Sequence, residues 1–501
     1  MMKKIGIIDI GSNSVRLVLV KIGQKGSFKI FNDVKESVRL GMGMDDSLEL
    51  QPDRIAKAIK TLKMFKSMCD ATLVDEIIAV ATAAVRKAKN SNYFLERVKE
   101  EAGIDIRVLS GKEEAFFAYW GVINSIDIDK GLIMDIGGGS TELILVENRK
   151  ISNSISLPFG SINLTQDFKL SNNVKESNIK ALEDFLAANY SKIPWLSKTK
   201  GYPLIGVGGT IRNMGNIVRK SSSYPLEITH NFRMKKGDLH KVYKLAKEKN
   251  LEERKKIKGL SKDRADIFVG VSGAVWSLFE HCQLKNLIVS GSGIREGLIY
   301  DYIHNNVEPV GNVLDFSINS LMSKYELDIE HANHIYSLSR SLYKQILGEE
   351  SFSVDTHKLL KTAALLHDSG INIRFYNHTQ HSFYMILNAG INGLTHKELL
   401  MSAFVAALHR NKKFKINWLK YKNIITKDDM VTIRMLGLLL IIAESLDICL
   451  DGKVTDVECY VNTDEVKITV LSDKSTEVEI NHALNATEQF KKVYGKKLII
   501  E

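Results

Sequence analysis

One phrase occurs twice in this chain, and it constrains the fold more than any other feature. KKIGIIDIGSNSVRLVLVKI (residues 3–22) and GLIMDIGGGSTELILVE (131–147) each run from an apolar stretch into Asp-Ile-Gly, then small polar residues, then a second apolar stretch. A single copy is an ordinary glycine hairpin, because glycine reaches the positive dihedrals a tight turn needs. Two copies, each followed by further strand and helix patterns, predict two similar lobes with a cleft between them.

Two more loops of this kind follow, PLIGVGGTIRN (203–213) and NLIVSGSGIREG (286–297). Each leaves an apolar strand and enters glycine and hydroxyl residues. Glycine lets backbone N–H groups approach phosphate oxygens closely, so four such loops around one cleft suit a polyanion. Charge agrees: of the net +10, residues 1–311 carry 47 Lys and Arg against 36 Asp and Glu, whereas residues 312–501 carry 22 against 23. The surplus lies in the part with the glycine loops.

The four cysteines form no CxxC pair, so neither a zinc knuckle nor a disulfide framework is expected, and a cytoplasmic setting follows as the default. MMKK leads into an apolar stretch that Asp9 interrupts, which argues against a signal segment. MLGLLLIIA (435–443) is too short to span a bilayer, which needs about 20 residues, and is expected as a buried helix.

Along the first lobe the pattern predicts three strands over 3–37, a helix from Pro52, the strand EIIAVA with the loop ATAAVR (81–86), a helix near 91–102 and the strand IRVLS. The second lobe repeats the scheme, with a helix near 174–191, the strand PLIGVG, helices through 238–281 and the strand NLIVSG. After HNNVEPVG (304–311) the pattern is helical and histidine-rich to about residue 450. VTDVECYV, EVKITVL, a helix near 480–494 and KLIIE then read as a small β-β-α-β appendix. The expected domains are 1–124 and 125–303 for the lobes, 312–453 for the helical region and 454–501 for the appendix.

In VLSGKEEAFFAYWG (108–121), Ser110 and Glu113 form an S-x-x-E capping box, which gives Glu113 a structural task. Glu114 has none, and it falls in the first turn of a helix that begins where the lobes should meet. A carboxylate there can orient and deprotonate water. Asp135 and Glu142 flank the second glycine loop, where acids beside a phosphate site hold Mg²⁺ or, in the simpler reading, form an Asx turn.

DIGSNSVR, ATAAVR, SGKEEA, DIGGGSTE, GVGGTIR and SGSGIREG, in this order, resemble the Ppx/GppA family of exopolyphosphatases and guanosine pentaphosphate phosphatases. The resemblance implies an α/β fold: a duplicated, actin-like two-lobe core, followed by an all-α region and a small α+β appendix. It implies Glu114 as the catalytic glutamate, Asp135 and Glu142 as acids of the site that hold Mg²⁺ or Mn²⁺, and Arg86 as an arginine that reaches substrate. The implied phosphate contacts are Ser12, Asn13 and Ser14, then Gly137, Gly138, Gly139 and Ser140, then Gly208, Gly209 and Thr210. Expected partners are polyphosphate or pppGpp, not nucleic acid or a membrane, and a homodimer is compatible with this reading. Polyphosphate hydrolysis is the leading expectation, pppGpp hydrolysis the alternative. An actin-like ATPase or a non-hydrolytic sensor are readings from other classes.

EHANHIYSLSRSLY, TAALLHDSG and IIAESLD resemble the HD phosphohydrolases and imply His331, His367, Asp368 and Asp447 as ligands of a second metal. A histidine in an apolar helix is more often a core residue, and the leading expectation is a substrate platform without HD chemistry. HRNKKFKINWLKYK (409–422) holds six cations and no acid. Arg410, Lys412, Lys413 and Lys415 are expected to track a long polyphosphate chain beyond the cleft.

Overall fold

The computed structural model describes residues 3–23, 26–44, 47–304, 309–348, 355–410 and 417–501. The chain divides into two compact units, Met1–Gly311 and Asn312–Glu501.

In the first unit the repeated phrase becomes a repeated hairpin. β1 (Lys3–Ile10) and β2 (Val15–Ile22) pair antiparallel across DIGSNS and continue into β3 (Phe28–Glu36). β4 (Glu76–Ala81) and β5 (Ile106–Val108) add in parallel on the other side of β1, giving the order β3-β2-β1-β4-β5. The second sheet repeats it: β6 (Gly131–Ile136), β7 (Thr141–Glu147) and β8 (Lys150–Leu157) are the meander, with β9 (Leu204–Val207), β10 (Phe232–Met234) and β11 (Leu287–Val289) beyond, in the order β10-β11-β9-β6-β7-β8. β6 is buried along its whole length, which explains why it reads as a continuous apolar run and not as an alternation. This is the duplicated actin-like arrangement, and it is an α/β fold.

Helices Pro52–Ala71 and Ser91–Ala102 cover one face of the first sheet, where Phe65, Phe94 and Val98 are fully buried. The other face receives a helix from far along the chain: Leu298 and Ile299, of the helix Ile294–His304, pack with Ile5, Ile7, Val18 and Val20. The helix Gly111–Ile123, which precedes the expected boundary at 124/125, lies in turn against β8 and β7. Each lobe thus lends its closing helix to the other. The two helices cross so closely that a Cβ on Gly297 would stand 2.0 Å from the Phe117 carbonyl oxygen, and one on Gly121 2.2 Å from that of Gly293.

Local structure departs from the sequence pattern at several points, among them three motifs. ATAAVR is not a plain loop: its last residues start the short helix Ala83–Lys87. GGTIRN opens the helix Gly209–Ser221, with Gly208 at φ +110°, a conformation L side chains rarely adopt. The helix near 480–494 is two helices, Glu477–Leu484 and Thr487–Tyr494.

Among its described residues the second unit is helical between 313 and 445, ending in the buried helix Lys427–Ser445 that contains MLGLLLIIA. The antiparallel pair β12 (Asp456–Val461) and β13 (Glu465–Leu471), with β14 (Lys497–Ile500) parallel to β13, forms a three-stranded sheet that packs on Ile329–Ile346. Among the described residues no helix is long and apolar enough to cross a membrane.

Candidate functional site

The glycine loops converge on one cavity of the first unit. It is lined by Ser12, Asn13 and Ser14 from the first hairpin, Gly137, Gly138 and Ser140 from the second, Gly208 and Gly209 from the third loop, and Gly291 to Glu296 from the fourth. The hairpin turns are built alike: Gly11 N–H donates to the Ser14 carbonyl at 3.1 Å, and Gly137 N–H to that of Ser140 at 3.0 Å. They also touch, since a Cβ on Gly138 would meet the Ser12 Cβ at 2.6 Å. Gly208 caps a 13-residue helix, whose N-terminal N–H groups carry the positive end of its dipole.

Three expected acids, Glu114, Asp135 and Glu142, line this cavity, and all three are buried. Asp135 and Glu142 are directly opposed in the β6–β7 register, so both side chains leave the same face of the sheet. Ser156 donates to Glu142 Oε1 at 2.8 Å. Glu114 Oε2 accepts from Arg86 Nη1 at 2.7 Å, and its Oε1 lies 3.5 Å from the Ser140 hydroxyl. Glu113 is spent on the capping box, where the Ser110 N–H and hydroxyl and the Arg107 guanidinium hold its carboxyl down at about 2.

Burial and mutual repulsion drive the acids of the cavity the other way. Asp135 is pushed up to about 7 by burial first, then by the Glu114 and Asp9 charges. Glu142 is raised well above the ordinary carboxylate value, by burial and then by Glu114 and Asp135. Burial also raises Glu114, against the pull of Arg86. Such a crowd of oxygen donors with surplus negative charge fits a hard divalent cation. Mg²⁺ needs few protein ligands, because water and phosphate complete its shell. Asp135 and Glu142 are the residues that would hold it.

Other expected residues stand apart. Arg86 does not line the cavity; its Nη1 is occupied by Glu114 and by the Leu109 carbonyl oxygen at 2.7 Å. The Thr210 hydroxyl accepts from Arg264 at 3.2 Å, and the Gly139 carbonyl from Lys87 Nζ at 2.7 Å. Lys412, Lys413 and Lys415 lie outside the described residues. Arg410 is not a free cation of a distal track: its Nε donates to Glu444 Oε1 at 2.8 Å, with Nη2 on the same oxygen.

The cavity also contains groups that the sequence reading did not assign. Asp9 lines it, partly buried, and desolvation raises its carboxyl. Its register partner is Arg16, at the place where the second lobe has Glu142 opposite Asp135. Arg212, Arg264 and Arg295 complete a set of four lining arginines. Arg295 is anchored by Asp33 at 3.3 Å. Arg212 and Arg295 sit inside the motifs GVGGTIR and SGSGIREG, so a signal for both was present in the sequence; Arg264, in SKDRAD, has no such marker.

In the second unit, His331, His367 and Asp368 come together as expected, but Asp447 does not join them. His331 Nδ1 donates to Asp447 Oδ2 at 2.8 Å, and Gly452 N–H to its Oδ1 at 2.9 Å, so both carboxylate oxygens are engaged. Glu444, on the preceding helical turn, takes the place in the cluster instead.

Comparisons with known proteins agree with this architecture. The profile of the Ppx/GppA phosphatase family matches residues 18–306, and that of Ppx/GppA phosphatase domain III matches residues 313–489. Among solved structures, a Ppx/GppA family member of Aquifex aeolicus is 32% identical, with a TM-score of 0.53 over 62% of this chain and 100% of its own. An exopolyphosphatase from Cytophaga hutchinsonii is similar in fold, at 24% identity and a TM-score of 0.56 over 61% of this chain and 99% of its own. With a phosphatase-family match across more than half its length, and with the loops and acids of both lobes around one cavity, the chain belongs to the Ppx/GppA phosphatase family.

Proposed function

We propose that this protein is a cytoplasmic exopolyphosphatase, which releases orthophosphate from the end of inorganic polyphosphate by attack of water. The observation that carries the reading is the meeting of three buried carboxylates and four arginines within a wall of glycine and serine loops. Glu114 is the general base: its raised affinity for a proton suits it to take one from water near neutral pH. Arg86 orients that carboxylate and keeps it ionised until water is bound. The loop residues that line the cavity, Ser12, Asn13 and Ser14, Gly137, Gly138 and Ser140, and Gly208 and Gly209, hold the terminal phosphoryl oxygens, and the lining arginines stabilise negative charge as it moves to the leaving oxygen. When bound by Asp135 and Glu142, Mg²⁺ or Mn²⁺ supplies neutralisation of the end phosphate.

The Lys and Arg surplus of residues 1–311 favours a long anion, which supports polyphosphate ahead of pppGpp. One panel tests this: orthophosphate release from long polyphosphate, short polyphosphate, pppGpp and ATP. Fastest turnover of polyphosphate is expected. Turnover confined to pppGpp would replace the substrate assignment, turnover of ATP would favour the actin-like ATPase, and no release from any would favour a sensor.

A further inference from the structure

We propose, on the exopolyphosphatase reading given above, that Lys87 is a positioning residue: from the first lobe it holds the Gly139 carbonyl of the second, and thereby aims the Ser140 N–H into the cavity. Lys87 ends the short helix Ala83–Lys87, and its ammonium donates to the Gly139 carbonyl oxygen at 2.7 Å and to that of Pro158 at 3.1 Å. Both acceptors belong to the second lobe. Lys87 itself does not line the cavity, whereas Ser140, at the other end of the Gly139–Ser140 peptide, does.

The two hairpins show what this contact replaces. Gly11 N–H donates to the Ser14 carbonyl as Gly137 N–H does to that of Ser140, so Ser12 corresponds to Gly138 and Asn13 to Gly139. In the first hairpin, backbone N–H groups of the same lobe hold both carbonyls, Gly41 that of Ser12 and Arg39 that of Asn13, each at 2.9 Å. In the second, the N–H groups of Ser161 and Ile162 hold the carbonyls of Gly137 and Gly138, again at 2.9 Å. Among the described residues no backbone N–H reaches the next carbonyl, that of Gly139, and the Lys87 side chain takes it. The first lobe completes its loop from its own backbone; the second borrows the last donor from its neighbour.

Peptide geometry carries this contact to the site. A trans peptide is planar, with its C=O and N–H directed oppositely, so fixing the Gly139 oxygen on Lys87 sends the Ser140 N–H the other way. Among the described residues no group of the chain accepts from the Ser140 N–H, which leaves it for a phosphate oxygen. A cation on the carbonyl also polarises the peptide and strengthens its N–H as a donor. The first lobe crowds the same residue: a Cβ on Gly139 would meet the Ser12 Oγ at 3.2 Å and the Ala83 Cβ at 3.5 Å. Arg86, the residue before Lys87, holds the Glu114 carboxylate at 2.7 Å. Adjacent side chains of one short helix thus set both the general base and a donor for the phosphoryl group.

The test compares the unaltered chain with Lys87→Met, which keeps the bulk of the side chain without its donors, with Lys87→Arg, which keeps donors, and with Lys87→Ala. Removing a donor aimed at developing charge costs about 10²- to 10³-fold in kcat. Here the donor is turned and not removed, so kcat for phosphate release from polyphosphate should fall about 10- to 10²-fold in Lys87→Met with KM nearly unchanged, and Lys87→Arg should recover most of it. Propylammonium, which supplies the atoms missing from Lys87→Ala, should restore that variant saturably and leave Lys87→Met unaffected. The contact is read apart from activity by labelling glycine carbonyls with ¹³C and serine amides with ¹⁵N, which selects Gly–Ser peptides. The Gly139 carbonyl resonance should move in Lys87→Met and return in Lys87→Arg. If the unaltered chain does not hydrolyse polyphosphate, the substrate reading fails and this resonance still decides the contact. An unmoved resonance overturns the proposal. So does a rise in KM at unchanged kcat, which would make Lys87 an attractor of the anion, and so does a loss of activity that propylammonium fails to restore while circular dichroism stays native.

Discussion

Gly297→Ala sets two opposing effects against each other. Within a helix, alanine is favoured over glycine by about 1 kcal/mol, so propensity alone predicts a more stable protein. The new Cβ would stand 2.0 Å from the Phe117 carbonyl oxygen, however, and the two backbones must part by about 1 Å before the contact reaches even a tight 3.0 Å. Backbone atoms on both sides leave no flexible side chain to swing away. Overpacking of this kind costs about 1–3 kcal/mol, enough to reverse the gain. The separation also moves the helix that carries Glu114 relative to the one that carries Arg295, and a misplacement of about 1 Å can cost on the order of 10²-fold in rate. Gly237→Ala is the control, because that helical glycine has nothing within 4 Å of the added methyl group. Urea denaturation followed by circular dichroism should give a lower midpoint for Gly297→Ala and an equal or higher one for Gly237→Ala, with phosphate release lost only in the former. A Gly297→Ala protein as stable and as active as Gly237→Ala would refute the close crossing of the two helices.

Glu114→Gln should lower phosphate release by about 10²- to 10⁴-fold while polyphosphate binding persists, and Glu113→Gln should leave release within a small factor; filter binding and phosphate assays separate the two effects. Asp135→Asn should raise the Mg²⁺ concentration for half-maximal activity, and EDTA should abolish activity in the unaltered protein. Because the Asp135 carboxyl is raised from 3.8 to about 7 in the folded protein, the folded state binds more protons than the unfolded one between those values, so its contribution to stability declines as pH rises through that window. Thermal unfolding without divalent cations should therefore show Asp135→Asn gaining on the wild type from pH 4 to pH 7, and added Mg²⁺ should raise the wild-type midpoint more at pH 7.5 than at pH 5. A difference between the two proteins that does not change with pH would count against the raised carboxyl.

The repeated hairpins and their order were legible because a buried strand followed by Asp-Ile-Gly leaves few alternatives, and the capping box S-x-x-E separates Glu113 from Glu114 in the sequence itself. Asp9 was not, although it stands in the same phrase as Asp135. In sequence it reads as a break in an apolar run, and its place in the cavity follows from how two sheets face each other. Arg86 was named from its motif, but a position in a motif does not say that Glu114 binds it. In AESLD, Glu444 and Asp447 are three residues apart and equally suited to a helix face; the helix ends at Ser445, which turns Asp447 back toward Gly452 and His331 and leaves Glu444 facing the cluster. His378 carries no sequence signal beyond being a histidine, and its place beside Asp368 and His409 follows only from how the helices fold together.

A perfectly duplicated frame would present the same field from both walls of its cleft, and an anion inside would have no preferred orientation. Here one position breaks the equivalence: Arg16 balances Asp9 on the first wall, whereas Glu142 adds to Asp135 on the second. Two turns closed by the same hydrogen bond thus differ in charge, an acid opposite a base in one hairpin and an acid opposite an acid in the other. If the substrate is the linear chain of phosphates proposed above, which is nearly symmetric along its length, this difference would give it a front and a back, its terminus and its body meeting unlike charges at the two hairpins.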